Sequence, residues 1–154
     1  MILTQILDFF NRNLDKQTGQ TNVCMLQFMK KKAGRSEMRI LGIDPGYAIL
    51  GYGILDMKGN RFSVVTYGSI LTDAGMDMPS RLQVLYDRLS EIIEEYEPEE
   101  ASIEELFFNN NAKTAINVAQ ARGVILVVGR KMNIDTFEYT PLQIKQSVVG
   151  YGRA

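Results

Sequence analysis

The pattern of apolar and polar residues predicts that three strands follow one another along the chain. Apolar runs occupy residues 38–44, 48–56 and 61–71, and short turns containing glycine, proline or asparagine separate them. Apolar runs of this length, bounded by such turns, are typical of β-strands. Because the connections are short, the three strands are expected to form an antiparallel meander.

After the third strand, the pattern changes to helices that alternate with strands. Between residues 79 and 97, leucine and isoleucine recur every three or four positions, and Pro98 follows, which predicts an amphipathic helix that ends there. The later segments are predicted as a strand at 101–108, a helix at 109–132, a strand at 133–140 and a short helix at 141–149. The order βββαβαβα indicates an α/β fold with a mixed sheet, because helical crossovers place the later strands parallel to the first.

Residues 1–37 differ in character from the rest of the chain. They carry six basic residues against three acidic ones, whereas residues 38–154 are net acidic. The polar stretch NRNLDKQTGQTN interrupts any sustained pattern, so this part is interpreted as a loosely structured extension, either a disordered tail or a basic arm that binds DNA. Met38 opens the first strand, and the preceding Gly-Arg-Ser-Glu can be encoded by a purine-rich ribosome-binding sequence. We therefore hypothesise that translation begins at Met38 and that residues 38–154 form the folded domain.

Composition restricts the chemistry that the chain can perform. The 154 residues suffice for one domain, and the single cysteine, Cys24, excludes an intrachain disulfide and indicates a reducing compartment. Since the chain has no histidine, a metal would need oxygen ligands, which favours magnesium, manganese or calcium. The net charge of −1 gives no overall attraction to nucleic acid. No apolar run reaches the length of a membrane span and the start does not resemble a signal peptide, so a cytoplasmic location is expected.

Two carboxylates are candidates for catalytic groups. Asp44 ends the first predicted strand, and Glu104 lies near the end of the fourth, which is expected beside the first at the centre of the sheet. Open α/β sheets gather their chemistry at the carboxyl ends of strands, and two carboxylates brought together there repel unless a cation lies between them. A bound divalent metal could serve phosphoryl chemistry. The residues alone leave two other readings open: Asp44 as the cap of a turn, and Glu104 as a solvated acid. Glu105 is expected to point to the opposite face from Glu104.

A wider set of motifs identifies a family. The stretches RILGIDPGYAILGYGILD, PSRLQVLYDRLSEII, SIEELFFNNNAKTAINVAQARG and FEYTPLQIKQSVVGYG occur in this order. Together they resemble the RuvC family of Holliday junction resolvases, which belong to the ribonuclease H-like superfamily. The resemblance implies a homodimer that binds four-way DNA junctions in recombination and repair. It also implies paired symmetric nicks made with Mg2+ or Mn2+, and work alongside a branch-migration motor and its junction-binding partner.

The resemblance assigns roles to individual residues. Asp44 matches the family's first catalytic acid and Glu104 its second, which makes both metal ligands. Phe107 matches a phenylalanine that stacks on a base near the cut, and Lys145 matches a lysine near the scissile phosphate. Without the resemblance, Phe107 would read equally well as a core aromatic, and Lys145 would read better as a solvated surface lysine.

The second predicted helix adds two basic candidates and a possible interface. Lys113 and Arg122 are hypothesised to contact phosphate, but their spacing of nine positions places them on opposite sides of a helix, so at most one can serve the cleft from there. The helix is apolar on more than one side, which predicts burial against its own sheet and against a second copy of the chain.

The chain departs from the family at its C-terminal end. The family continues beyond GYGRA with a further basic residue and a final helix whose acids complete the metal site, whereas this sequence ends at Ala154. We therefore interpret the chain as C-terminally truncated, without the final helix, and expect little or no junction cleavage in magnesium. The alternative function is a non-catalytic fragment that binds junctions or dimerises. Actin-like ATPases and sugar kinases share the IDxG opening, but they need a second domain that this chain lacks.

Overall fold

A computed structural model describes residues 37–59, 61–105 and 112–140 as five strands and two helices. In chain order the elements are β1 (Met38–Asp44), β2 (Ile49–Lys58), β3 (Arg61–Leu71), α1 (Met78–Tyr96), β4 (Glu100–Glu104), α2 (Ala112–Lys131) and β5 (Asp135–Tyr139). The predicted extension, except Glu37, and the predicted short helix at 141–149 lie outside the described residues. The predicted order from the first strand to the fifth is confirmed.

The five strands form one mixed sheet in the order β3-β2-β1-β4-β5. The first three strands pair as an antiparallel meander, as predicted. β1 and β4 are parallel neighbours at the centre of the sheet, and β4 is also parallel to β5. The predicted adjacency of the first and fourth strands is therefore confirmed, and their carboxyl ends lie at the same edge of the sheet.

Alternate residues of the central strands divide the sheet into two faces. Leu41, Ile43, Ala101 and Ile103 face α1 and α2 and belong to the hydrophobic core; we call this the helix face. From the helices, the core takes Leu85, Leu89, Ile93, Ala121, Ile125 and Val128. Because side chains alternate along a strand, Gly42, Asp44, Ser102 and Glu104 point to the opposite side, which we call the Asp44 face.

Local signals set the ends of α1 within one residue of the prediction. Asp77 is the N-cap, and its side chain accepts a hydrogen bond from the Ser80 amide at 3.0 Å. Hydrogen bonds from the Ser80 hydroxyl and from this amide hold the pKa of Asp77 below its ordinary value. At the other end Glu97 adopts the left-handed conformation with φ 48°, and Pro98 follows, which ends the helix.

The second helix buries one side and exposes another. Ala121, Ile125 and Val128 are buried against the sheet and α1, whereas Ile116 and Val127 are each 60% exposed. The predicted burial against the chain's own sheet is confirmed, and burial against a second copy stays a prediction. In the described part of the chain, neither helix is long and apolar enough to cross a membrane.

The fourth strand is shorter than predicted. It begins one residue early, at Glu100, and ends at Glu104 rather than at residue 108, and residues 106–111 lie outside the described part. Its pairing ends with Glu104 opposite Tyr139, the last residue of β5, although the Glu105 amide still donates to the Tyr139 carbonyl at 2.8 Å.

Candidate active site

Asp44 and Glu104 occupy equivalent positions on the two central strands. Ile43 and Ile103 are partners in the parallel pairing of β1 with β4, and each acid is the next residue on its strand. Both are the last residues of their strands, and both point to the Asp44 face. Neighbouring strands are about 4.8 Å apart. The fold therefore brings the two predicted acids side by side at one edge of the sheet.

The turn after Asp44 requires glycine at position 46. A β-carbon on Gly46 would lie 2.1 Å from the carbonyl oxygen of Ile49, which is backbone and cannot move aside like a side chain. Pro45 restricts the backbone immediately before it. The sequence Asp-Pro-Gly thus ends β1 and folds the chain tightly back into β2, with the acid at the base of the turn.

On the β2 side, small residues flank Asp44 on its own face. Gly51 lies directly opposite Asp44 on β2, and Gly42 lies opposite Gly53 one row further along. A β-carbon on Gly42 would make only ordinary contacts, at 3.8 Å from the Gly53 carbonyl oxygen and 3.9 Å from the Ser102 hydroxyl. The glycines therefore leave the surface beside Asp44 low, so that an extended substrate could approach the carboxylate closely.

The two carboxylates are suitable ligands for a hard divalent cation. Like charges on adjacent strands favour a cation between them, and magnesium commonly takes one or two carboxylates together with waters and substrate phosphate. Within residues 37–59, 61–105 and 112–140, no group of three or more histidine, cysteine, aspartate or glutamate residues could hold a metal ion. Asp44 and Glu104 could supply two of the oxygen ligands of such an ion.

Of the other predicted site residues, only Arg122 has a described side chain. Phe107 and Lys145 lie outside the described residues, and Lys113 lies on α2 in a part whose side chains are not described. Arg122 is half-buried on α2 and forms an ion pair with Glu138 of β5. Glu138 is paired with Ile103 and so lies on the helix face, away from Asp44. The structure brings Asp44 and Glu104 together and places Arg122 on the other side of the sheet.

Sequence reasoning missed two residues that share the Asp44 face. Tyr139 lies directly opposite Glu104 on β5, so that Gly51, Asp44, Glu104 and Tyr139 form one row across four strands. Ser102 lies beside Gly42 in the row two residues before the acids. The available signal was alternation: in TFEYT, Tyr139 falls on the opposite face from Glu138. Its phenol is able to donate a hydrogen bond to a phosphate oxygen.

The family follows from comparison with known proteins. A family model described as crossover junction endodeoxyribonuclease RuvC matches residues 40–154. The chain belongs to the RuvC family. The family consists of divalent-metal nucleases. The RuvC of Alkaliphilus oremlandii is 58% identical over 117 residues, which cover 76% of this chain and 71% of the relative. The RuvC of Ruminiclostridium cellulolyticum is 56% identical over 117 residues, 76% of this chain and 70% of that relative.

Solved structures agree with this assignment. Thermus thermophilus RuvC in complex with a Holliday junction substrate matches with a TM-score of 0.72 at 30% identity, over 76% of this chain and 72% of that one. The yeast mitochondrial Holliday junction resolvase Ydc2 matches with a TM-score of 0.57 at 14% identity, over 80% of this chain and 63% of that one, and supports the fold alone. The predicted ribonuclease H-like α/β fold and the RuvC resemblance are confirmed.

Proposed function

We propose that this chain carries the junction site of a structure-specific endodeoxyribonuclease that resolves four-way DNA junctions, with Asp44 and Glu104 as ligands of its divalent metal. The observation that carries the proposal is the position of both acids, as the last residues of two adjacent parallel strands, in a chain of the RuvC family. Strand ends fixed by sheet pairing hold ligands more precisely than loops do.

Each acid would act as a fixed ligand on the same side of the sheet. When bound, the ion would supply Lewis-acid stabilisation of phosphate charge and a water of lowered pKa for hydrolysis of the phosphodiester. Asp44 and Glu104 would orient the ion relative to the DNA strand, and the glycines opposite Asp44 would let that strand approach. The oxygen-only ligands suit Mg2+, and Mn2+ accepts the same ligands.

Four further residues are proposed to contact DNA. By resemblance, Phe107 would stack on a base near the cut, an interaction worth about 1–3 kcal/mol, and Lys145 would neutralise charge on the scissile phosphate. Lys113 and Arg122 would contact phosphates away from the cut. Because Arg122 already pairs with Glu138, a phosphate would have to compete with that carboxylate.

A homodimer is proposed to form through the exposed side of α2. Ile116 and Val127 are eleven residues apart, which is close to three full turns, so both lie on one stripe with Gly123 between them. Both apolar side chains are 60% exposed, and a β-carbon at Gly123 would meet no atom within 4 Å. Small residues between apolar ones allow two helices to approach closely. A junction cut at two equivalent points needs two sites related by symmetry, which a second copy supplies.

The dimer is tested by adding charge to this stripe. We expect Ile116→Glu and Val127→Glu each to convert the dimer into a monomer, as measured by light scattering after size-exclusion chromatography. Val65→Glu is the matched control, because Val65 is 38% exposed but lies on β3. Dimers that persist in both α2 variants would contradict this interface.

The proposed activity is tested with one labelled four-way junction, used for both gel shift and cleavage. Any Mn2+- or Mg2+-dependent nicking should fall at least about a hundredfold in Asp44→Asn and Glu104→Gln, because each removes a metal ligand. Junction binding without metal should persist. Asp87→Asn and Glu94→Gln are controls, since both acids are exposed on α1. Nicking that survives in both site variants, or equal affinity for linear duplex, would refute the proposal.

The same assay decides between the two readings of activity. The expectation that residues 1–154 show little or no junction cleavage in magnesium stays a prediction. Junction binding with no nicking in either metal would favour the alternative of a non-catalytic junction-binding chain. Cooperation with a branch-migration motor and its junction-binding partner, and a cytoplasmic location, are proposed from the DNA substrate and the family.

A further inference from the structure

A buried arginine lies beside the turn that follows Asp44. Arg81 is in the first turn of α1 and is only 8% exposed. Among the carboxylates of residues 37–59, 61–105 and 112–140, none forms an ion pair with it. Burying a charge without a counter-ion is costly unless hydrogen bonds compensate it. The contacts of this guanidinium therefore indicate what it does.

The guanidinium is held by two acceptors and one aromatic ring. Its Nε donates to the Met76 carbonyl oxygen at 3.2 Å, and one terminal nitrogen donates to the Thr72 hydroxyl at 3.0 Å. Its central carbon lies 5.6 Å from the centre of the Tyr47 ring, within the range of a cation–π interaction. Tyr47 belongs to the turn between β1 and β2, so Arg81 connects the start of α1 to that turn.

Thr72 carries the connection to the backbone of the turn. Its hydroxyl donates to the Tyr47 carbonyl oxygen at 2.7 Å, and its amide donates to the Ala48 carbonyl oxygen at 3.0 Å. Arginine has donors but no acceptor, and a hydroxyl has a single hydrogen. Since Arg81 donates to the Thr72 hydroxyl, the hydroxyl hydrogen is directed to Tyr47. Arg81 thus fixes the direction of the bond that holds the turn.

We propose that Arg81 is a positioning residue for the metal site. Through Thr72 and Tyr47, it fixes the turn that begins at Asp44 and so holds the Asp44 carboxylate toward Glu104. On the other side of the turn, the backbone at Gly46 closely approaches the Ile49 carbonyl, with no room for a β-carbon. The proposal rests on the proposed function only for the identity of the bound ion; the connection from Arg81 to the turn is independent of it.

The test compares two paired sets of variants in the full chain. Arg81→Met keeps length and removes every donor, and Arg81→Lys keeps the charge and one donor group. Thr72→Val keeps shape and removes the hydroxyl, and Thr72→Ser keeps the hydroxyl. Arg88→Met is the control, because Arg88 lies exposed on the same helix in an i,i+3 ion pair with Glu91.

The first readout is amide hydrogen exchange, which needs neither metal nor activity. In Arg81→Met and in Thr72→Val, exchange at the Thr72 amide should rise about five- to tenfold, as expected for one weakened hydrogen bond. Exchange at Leu85 and Leu89, in the middle of α1, should not change. Thr72→Ser should restore protection. In the double variant Arg81→Met with Thr72→Val, exchange at position 72 should be no faster than in either single variant, because both substitutions act through one connection.

The second readout is Mn2+ binding by calorimetry. Affinity should fall about three- to tenfold in Arg81→Met and in Thr72→Val, with partial recovery in Arg81→Lys and Thr72→Ser and no change in Arg88→Met. Unchanged Thr72 exchange and unchanged Mn2+ affinity in Thr72→Val would overturn the proposal. So would an equal rise of exchange throughout α1, since that result reveals general destabilisation. If Asp44→Asn leaves Mn2+ binding intact, the proposed metal site fails, whereas Thr72 exchange still decides whether Arg81 fixes the turn.

Discussion

A carboxylate lies at each end of β1, and the two carboxylates have opposite surroundings. At the start of the strand, Arg39 lies directly opposite Asp56 of β2. Its Nε donates to Oδ1 at 2.7 Å and a terminal nitrogen donates to Oδ2 at 3.0 Å. At the other end, Asp44 is paired with Gly51 of β2 and lies beside Glu104, a second carboxylate, on β4.

These surroundings indicate that Asp56 stabilises the fold, whereas Asp44 is suited to bind a metal. Hydrogen bonding to Arg39 lowers the pKa of Asp56, and the same bond raises the pKa of Arg39. Arg39 also donates to the Tyr96 carbonyl oxygen at 2.9 Å, which attaches the end of α1 to the sheet. By contrast, two carboxylates on adjacent strands repel each other, and a bound cation between them would relieve that repulsion. A single strand thus supports a structural ion pair and a candidate metal site.

The largest loss of stability is expected from a substitution in the turn that follows Asp44. Gly46→Ala should lower the free energy of unfolding by about 3 kcal/mol, because the added methyl group would overlap backbone that cannot repack. Gly42→Ala is the matched control; its β-carbon would make only ordinary contacts, so a loss of less than about 1 kcal/mol is expected. Urea unfolding measures both. Equal losses in the two variants would show that the tight approach at Gly46 does not govern the turn.

A smaller effect is expected at the other end of the strand. Arg39→Met should lower the free energy of unfolding by about 1–2 kcal/mol at neutral pH, a figure that allows for solvent screening because the side chain is 36% exposed. Because the pKa of Asp56 is lowered in the folded state, the contribution of the pair is present above its ordinary value of 3.8 and is lost as the pH falls through the lowered value.

The pH dependence gives this second prediction its own check. The difference in stability between wild type and Arg39→Met should be constant near neutral pH and should shrink below about pH 4. The exposed pair Arg88–Glu91 provides the comparison, since Arg88→Met should change stability by less than about 0.5 kcal/mol. A difference between wild type and Arg39→Met that persists unchanged in acid would mean that packing of the arginine, rather than its ion pair, stabilises this end.

Sequence periodicity predicted most of the fold and made Asp44 and Glu104 candidates, whereas their roles came only from the RuvC resemblance. The apolar runs and the leucine spacing of α1 follow from local physics, and the short connections determine the meander. With β1 and β4 adjacent, Asp44 and Glu104 had to meet. In contrast, the Arg122–Glu138 pair depends on how α2 crosses β5, and the Arg81–Thr72 contact depends on how α1 approaches a turn. Such contacts arise from tertiary packing, which no local pattern encodes.

The most direct test of the central claim is the effect of Mn2+ on thermal unfolding of wild type, Asp44→Asn and Glu104→Gln. An ion that binds the folded chain stabilises it by about 1.4 kcal/mol at ten times its Kd. We predict that Mn2+ raises the Tm of wild type, of Asp87→Asn and of Glu94→Gln, and that it leaves the Tm of Asp44→Asn and Glu104→Gln unchanged. An equal rise in Tm for all five proteins would contradict a metal site formed by Asp44 and Glu104.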